Sequence, residues 1–416
     1  MNILLKSAKI IDVNSKFHQQ VKDVLIEKGV ITKIASNIKE AKGIKTVQLD
    51  NLHVSCGWFD TSVSFGEPGF EERENIENGL KTASKSGFTA VALNANTNPL
   101  IDNKSAVEFL TSKSQNSIVD LHPIANLTKQ AKGEEIAELF DMQNSGAIAF
   151  GDYKKATSNA TVMKIALQYA QNFNALVQSF PHDSHFSGFV NEGENSTKLG
   201  LKGIPSLAEE IQISRDLFLL EYTGGKLHIP CISTEKSVKL IAQAKKKGLD
   251  VTCSVAVHNL VLTDDELHDF NTNYKVIPPL RRKKDCNALI KAVKNGTIDM
   301  LTSDHNPIDI EHKKVEFENA KFGAIGLESL FGFANQVLDL ETLITNLTTK
   351  PRQRFGLKNT VIKLNEIANL TLFNPEKEFV FTEEQIISTS KNAIALGHKM
   401  NGFVYGVMVG KKVSLN

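Results

Sequence analysis

The 416-residue sequence predicts an α/β protein: a (β/α)8 barrel of the TIM type with a small composite β-domain built from the two chain ends. Three observations predict it. In the middle of the chain, short apolar runs alternate with helix-length amphipathic stretches. About eight such runs fit within roughly 300 residues, which favours a barrel over a doubly wound sheet. Both termini carry short alternating segments of strand character.

In chain order, ILLKSAKIIDV, DVLIEKGVITKIAS and KTVQLDNLHVS read as a strand meander broken by Asn14-Ser15 and Gly29. The barrel strands that follow are the segment before Asp60, then FTAVALN, IVDLHPI, AIAFGDY, ALVQSF, KLHIPCI, DVTCSVAV and TIDMLTS. Between them lie helical stretches such as IENGLKTASKSG, LAEEIQISRDLFLLEY, EKSVKLIAQAKKKG and DCNALIKAVKNG. NLTLFNP and GFVYGVMVGKKVSL return to strand character at the far end, and chain ends tend to lie together. The boundaries expected are 1–54 with 360–416 for the β-domain and 55–359 for the barrel.

Composition narrows the function classes. Hydrophobic residues make up 41% and charged residues 23%, so neither disorder nor a fibrous class is indicated. Lys+Arg at 48 against Asp+Glu at 47 gives a formal net charge of +1, too small a field to predict nucleic-acid or anionic-membrane binding. The runs Lys245-Lys246-Lys247 and Arg281-Arg282-Lys283-Lys284 are short, and the first reads as the solvated end of a helix before Gly248. No apolar stretch approaches the roughly 20 residues a membrane helix needs. MNILLKSAKIIDV alternates as a strand does, so a cytoplasmic location is expected. Cys56, Cys231, Cys253 and Cys286 lie far apart and read as buried reduced thiols.

Barrels of this kind place their chemistry at the C-terminal strand ends. The polar or reactive residues there are Ser62 and Ser64, Asn96, Asp152, Gln178, Cys231, His258 and Asp304.

The segment CGWFDTSVSFGEPGFEERENIENGLKTASKSGFTAVALNANTNP resembles the dihydroorotase signature, in which Pro-Gly-x-x-Asp precedes His-x-His-x-Arg-Glu-Pro-Gly and Gly-Phe-Thr and Asn-Thr-x-Pro follow. Further blocks are similar in the same order, among them GFVNEGENSTKLGLKGIPSLAEEIQISRDL, VTCSVAVHNLVLTDDEL, PPLRRKKD and NGTIDMLTSDHNP, so the resemblance spans essentially the whole chain. It implies an amidohydrolase barrel with one or two Zn²⁺ ions. It also implies reversible cyclisation of carbamoyl-aspartate to dihydroorotate, with a strand-8 Asp shuttling the proton.

Several positions depart from that pattern. Two histidines one residue apart at a strand end point to the same side and can grip one metal, but here they are Ser62 and Ser64, and hydroxyls are weak Zn²⁺ ligands. The family's carboxylate-binding Arg is Gly66, and its next two ligating histidines fall on Gln178 and Cys231. Asp152, with Tyr153 after it, aligns near an acidic pair. The strand-8 Asp is kept as Asp304, a vestigial general-base position expected to cap its turn when no metal is present. Of the substrate contacts Asn96 is retained, while Ile277 and Ile308 stand where the family has Asn and His, as if the pocket were refilled with apolar side chains. His228 reads as a core histidine and His258 as structural.

The leading expectation is therefore a catalytically silent dihydroorotase homologue without a bound cofactor, kept for binding. The resemblance implies aspartate carbamoyltransferase as a partner, and a homodimer is open. Two alternatives stand beside it: an active zinc-dependent cyclic amidohydrolase with an altered site, and a small-molecule sensor. An altered zinc site could draw on His182, Asp183 and His185 together with Asp304, His305 or Cys231.

Overall fold

The computed structural model describes residues 2–416. Eight parallel strands follow one another around the barrel: Trp58–Val63, Phe88–Leu93, Asp120–Ala125, Ala149–Phe150, Val177–Gln178, Leu227–Ile229, Val251–Ala256 and Met300–Thr302. Strand one, WFDTSV, and strand two, FTAVAL, are buried at every position, as strands covered on both faces must be. That continuous burial explains why FTAVAL reads as a nearly continuous apolar run.

The ring closes between strands eight and one. Val63 bridges His305 in parallel, and the Ser64 amide donates to the His305 carbonyl at 2.7 Å. The buried Asp60 carboxylate holds the same seam, accepting from the amides of Ser303 (3.0 Å) and Ser62 (3.1 Å) and from the Thr302 hydroxyl. Burial pushes its carboxyl up to about 6 against these bonds.

Inside the ring, Phe59, Ala90, Ala92, Ile124, Ala149, Leu176 and Met300 pack as alternating large and small side chains with Phe355. Phe355 meets Phe59 edge-on at 5.6 Å and His228 at 5.7 Å. His228 is a core residue, bonded to Thr252 Oγ1 and Ser254 Oγ, and burial holds its imidazole down at about 3.

The outer helices begin where the sequence supplies caps. The side chains of Asn75, Asn103, Asn159 and Thr234 each accept a first-turn amide. The longest, Leu207–Thr223, packs beside Ala160–Gln171.

A second, mixed sheet unites the chain ends. Asn369–Val380 pairs antiparallel with His53–Cys56, which lies beside Asn2–Ile10, and Lys399–Val409 and Lys412–Leu415 extend the edge. Its own core includes Ile3, Leu5, Val24, Val54, Leu370 and Leu372. Among the described residues no helix is long and apolar enough to cross a membrane.

Candidate functional site at the barrel mouth

The strand ends gather a hydrogen-bonded chain of polar groups. Ser62 on strand one and Ser64 just past its end point to the same side, and the Asn94 amide after strand two donates to both hydroxyls at 3.1 and 3.3 Å. Ser62 Oγ lies 3.5 Å from one Asp304 carboxylate oxygen. The other oxygen is taken by Lys154, whose Nζ approaches to 2.6 Å. The pair is removed from water, with side-chain exposures of 11% and 2%.

Lys154 and Asn94 were not among the residues singled out from sequence. Lys154 stands two residues beyond Asp152 and reaches the centre with its four-carbon stem. Burial alone would pull its ammonium down, but the Asp304 carboxylate against it holds it above the ordinary lysine range. Asp304 does not cap its turn as expected, because its carboxylate faces Lys154 and Ser62 instead.

Each remaining candidate has a definite place. Asp152 is turned away from this cluster: its carboxylate accepts from the Leu127 and Thr128 amides at 3.0 and 3.1 Å and from Thr128 Oγ1 at 2.5 Å, so it fastens the strand-three loop. Tyr153 is half-buried beside Lys154 with its hydroxyl shut off from water, and burial pushes its phenol up to about 12. Cys231 packs with Phe180, Ala256 and Ile277 in an apolar cluster, and burial and the nearby Asp304 raise its thiol far above the ordinary range. Ile308 is buried as well.

Gln178 ends strand five with Nε2 unpartnered in the structure, and Asn96 Oδ1 is likewise unpartnered. Asn96 joins the cluster only through its amide, which donates to the Asn94 carbonyl. His258 and His305 are both held at about 3 by burial. His305 Nδ1 accepts from the Gly326 amide at 3.2 Å, which leaves the proton on Nε2.

Of the loop histidines, His182 lies with its ring 6.5 Å from that of Phe180. His185 is exposed and bonds Asp183 at 2.7 Å on the surface. Among the described residues, no three His, Cys, Asp or Glu side chains gather in a way that could hold a metal ion.

Gly66 is fixed by its backbone. A Cβ there would lie 1.7 Å from the Phe70 carbonyl oxygen, because the loop folds back with Phe70 N donating to Gly66 O and Gly66 N donating to Glu74 O. The position where the family carries its Arg thus has no room for any side chain. Tyr153, Cys231 and Asp304 all adopt left-handed backbone, with φ of 54°, 52° and 49°. Such conformations cost on the order of 1 kcal/mol or more each in non-glycine residues and concentrate where a scaffold presents side chains inward.

Barrel, composite sheet and strand-end placement define an amidohydrolase-type protein. The structure is similar to L-hydantoinase (dihydropyrimidinase) from Arthrobacter aurescens, with a TM-score of 0.86 at 20% identity, covering 99% of this chain and 95% of the other. The family model for dihydro-orotase-like proteins matches residues 53–237. Two relatives named dihydroorotase, from Ruminiclostridium cellulolyticum and Acetivibrio thermocellus, are each 37% identical; the alignments cover 99% of this chain and 97% and 98% of theirs. The chain belongs to the dihydroorotase-like family of the amidohydrolase superfamily.

Proposed function

We propose that this chain is a non-catalytic dihydroorotase-like protein of pyrimidine biosynthesis that serves as a structural or binding subunit, with aspartate carbamoyltransferase as its partner. The observation that carries this reading is the buried Lys154–Asp304 pair. A divalent cation at Asp304 would have to displace an ammonium 2.6 Å away and then rely on the hydroxyls of Ser62 and Ser64. Hydroxyls keep their proton and bind Zn²⁺ weakly, whereas imidazole and thiolate are the ligands that hold it. The donor set does not fit the family's zinc.

Proton chemistry at the mouth supports the same reading. A general base should titrate near the working pH. Here burial raises the Asp304 carboxyl but Lys154 occupies it, the Tyr153 phenol and the Cys231 thiol are held protonated, and His258 and His305 stay neutral far below their usual range. The carboxylate-binding position is closed at Gly66.

Elemental analysis of the purified protein, run beside a dihydroorotate hydrolysis assay with added Zn²⁺, tests the catalytic half. Substoichiometric zinc and no turnover above background are expected; stoichiometric zinc with enzyme-level turnover would overturn it and establish a hydrolase with an altered site. For the partner, co-elution with aspartate carbamoyltransferase at micromolar concentrations is expected. Separate elution there would remove that part of the proposal.

A further inference from the structure

Outside the barrel ring, where the composite sheet lies against the outer helix Ile76–Lys85, the structure holds a cavity of about 220 Å³. Helix Leu330–Ala334 and strands Asn369–Val380 and Lys399–Val409 contribute its walls, and it shares no lining residue with the barrel mouth. The walls are largely phenyl. Phe331 and Phe381 are buried, and Phe379 and Phe403 are half-buried.

Among the described residues, two polar groups in this lining have no partner. Glu328 Oε1 accepts from the Ser388 amide at 3.1 Å and hydroxyl at 2.6 Å, while its Oε2, equally shut off from water, accepts from nothing. Ser86 is 6% exposed, and its Oγ is also without a partner. A buried polar atom lacking a hydrogen bond is costly, and two that line one cavity point to a ligand supplying both bonds.

The charge is unmatched as well. The one lysine in the lining, Lys85, spends its Nζ on the Leu415 carbonyl, and Glu384 adds a second carboxylate. Glu74, near Glu328, is buried and bonded to Asn78 and Thr389. Lys391, beside Glu74, is committed to the carbonyls of Ile386 and Ser388. Burial, reinforced by Glu74, raises the Glu328 carboxyl, and a cation against Oε2 would stabilise its charged form.

We propose that this cavity binds a small organic amine as its ammonium ion, with N–H groups donating to Glu328 Oε2 and Ser86 Oγ and the hydrocarbon body lying among the four phenyl rings. Ring faces attract ammonium groups, and Phe403 already holds one: Lys377 Nζ, not itself in the lining, stands 4.0 Å from its centroid. The volume exceeds the roughly 150 Å³ that admits benzene and falls short of the roughly 300 Å³ where drug-sized pockets begin, which suits one ring or a short chain. An anion would meet the carboxylates. A neutral hydrocarbon would leave both polar atoms bare.

Isothermal titration of the full chain with phenethylammonium chloride tests this, beside the emission of Trp58, the single tryptophan, whose ring centroid lies 5.0 Å from that of Phe331. We expect one site with a Kd of about 0.1–1 mM and a change in emission with the same midpoint. Phenethyl alcohol, alike in shape but uncharged, should bind about tenfold more weakly or worse. Glu328→Gln keeps the volume and an oxygen for Ser388; it should weaken amine binding about tenfold or more with unchanged circular dichroism, and Ser86→Ala about threefold. No amine binding up to about 10 mM would overturn the proposal. So would equal affinity for amine and alcohol on the wild-type chain, a comparison that needs no variant, or wild-type affinity in Glu328→Gln. None of these readouts depends on zinc content or turnover, so the result stands apart from the fate of the catalytic reading.

Discussion

Replacing Lys154 tests whether the ion pair holds the barrel mouth together. At a charge separation near 3 Å and an effective dielectric of about 20, the attraction is on the order of 5 kcal/mol. Desolvation of two ions largely offsets it, so the intact pair contributes little net stability. The asymmetry appears when one partner is removed. In Lys154→Met, the Asp304 carboxylate, 2% exposed, keeps only neutral neighbours, Ser62 Oγ at 3.5 Å and the Cys231 thiol. The expected cost is about 3–5 kcal/mol at neutral pH. Burial already favours the protonated Asp304, so its folded-state pKa in the variant lies above the unfolded value, and the cost should shrink as the pH is lowered. Lys154→Met with Asp304→Leu should recover most of the loss. Urea unfolding can be followed through the single tryptophan, Trp58, buried against Phe88, Phe331 and Phe373. A Lys154→Met cost below about 1 kcal/mol, or strict additivity in the double variant, would refute the reasoning.

Three further outcomes are expected. Ser62→His with Ser64→His should bind less than one zinc by elemental analysis and hydrolyse little dihydroorotate, since Lys154, Gln178 and Cys231 are unchanged; full activity would contradict the account of those positions. Gly66→Ala should lower the urea midpoint by the equivalent of about 2 kcal/mol or more, as its Cβ meets backbone rather than a flexible side chain. Asp60, at about 6 when folded against roughly 3.9 unfolded, binds more protons in the native state between those values. Wild type should therefore lose stability relative to Asp60→Asn as pH rises from 4 to 7, by about 1 kcal/mol or more; a pH-independent difference would argue against this assignment.

The barrel was legible in the sequence because strands covered on both faces leave nearly continuous apolar runs, as FTAVAL does over Phe88–Leu93. The pairing of the two chain ends followed from strand character at both termini. Lys154 was not legible, since a lysine in GDYKKA reads as solvated and only the fold shows its stem crossing to Asp304, 150 positions away. Arg281 hid in the same manner within a basic run. It is buried, donating to Ser233 Oγ and Asn191 Oδ1, partners 48 and 90 positions distant. Asp304 and Asp152 show the converse limit: residue type and strand-end position were readable, while the direction each carboxylate faces depends on which neighbours reach it.

Gly66 bears on reversibility. With the loop from Gly66 to Glu74 folded onto the bare backbone at that position, an arginine regained there meets the Phe70 carbonyl before it can meet any carboxylate. Regaining the histidines of strand one would not change this, because the obstruction is main chain and yields only if the whole loop is rebuilt. Placing a side chain at position 66 is therefore a change of the Gly66–Glu74 loop as a whole rather than of one residue.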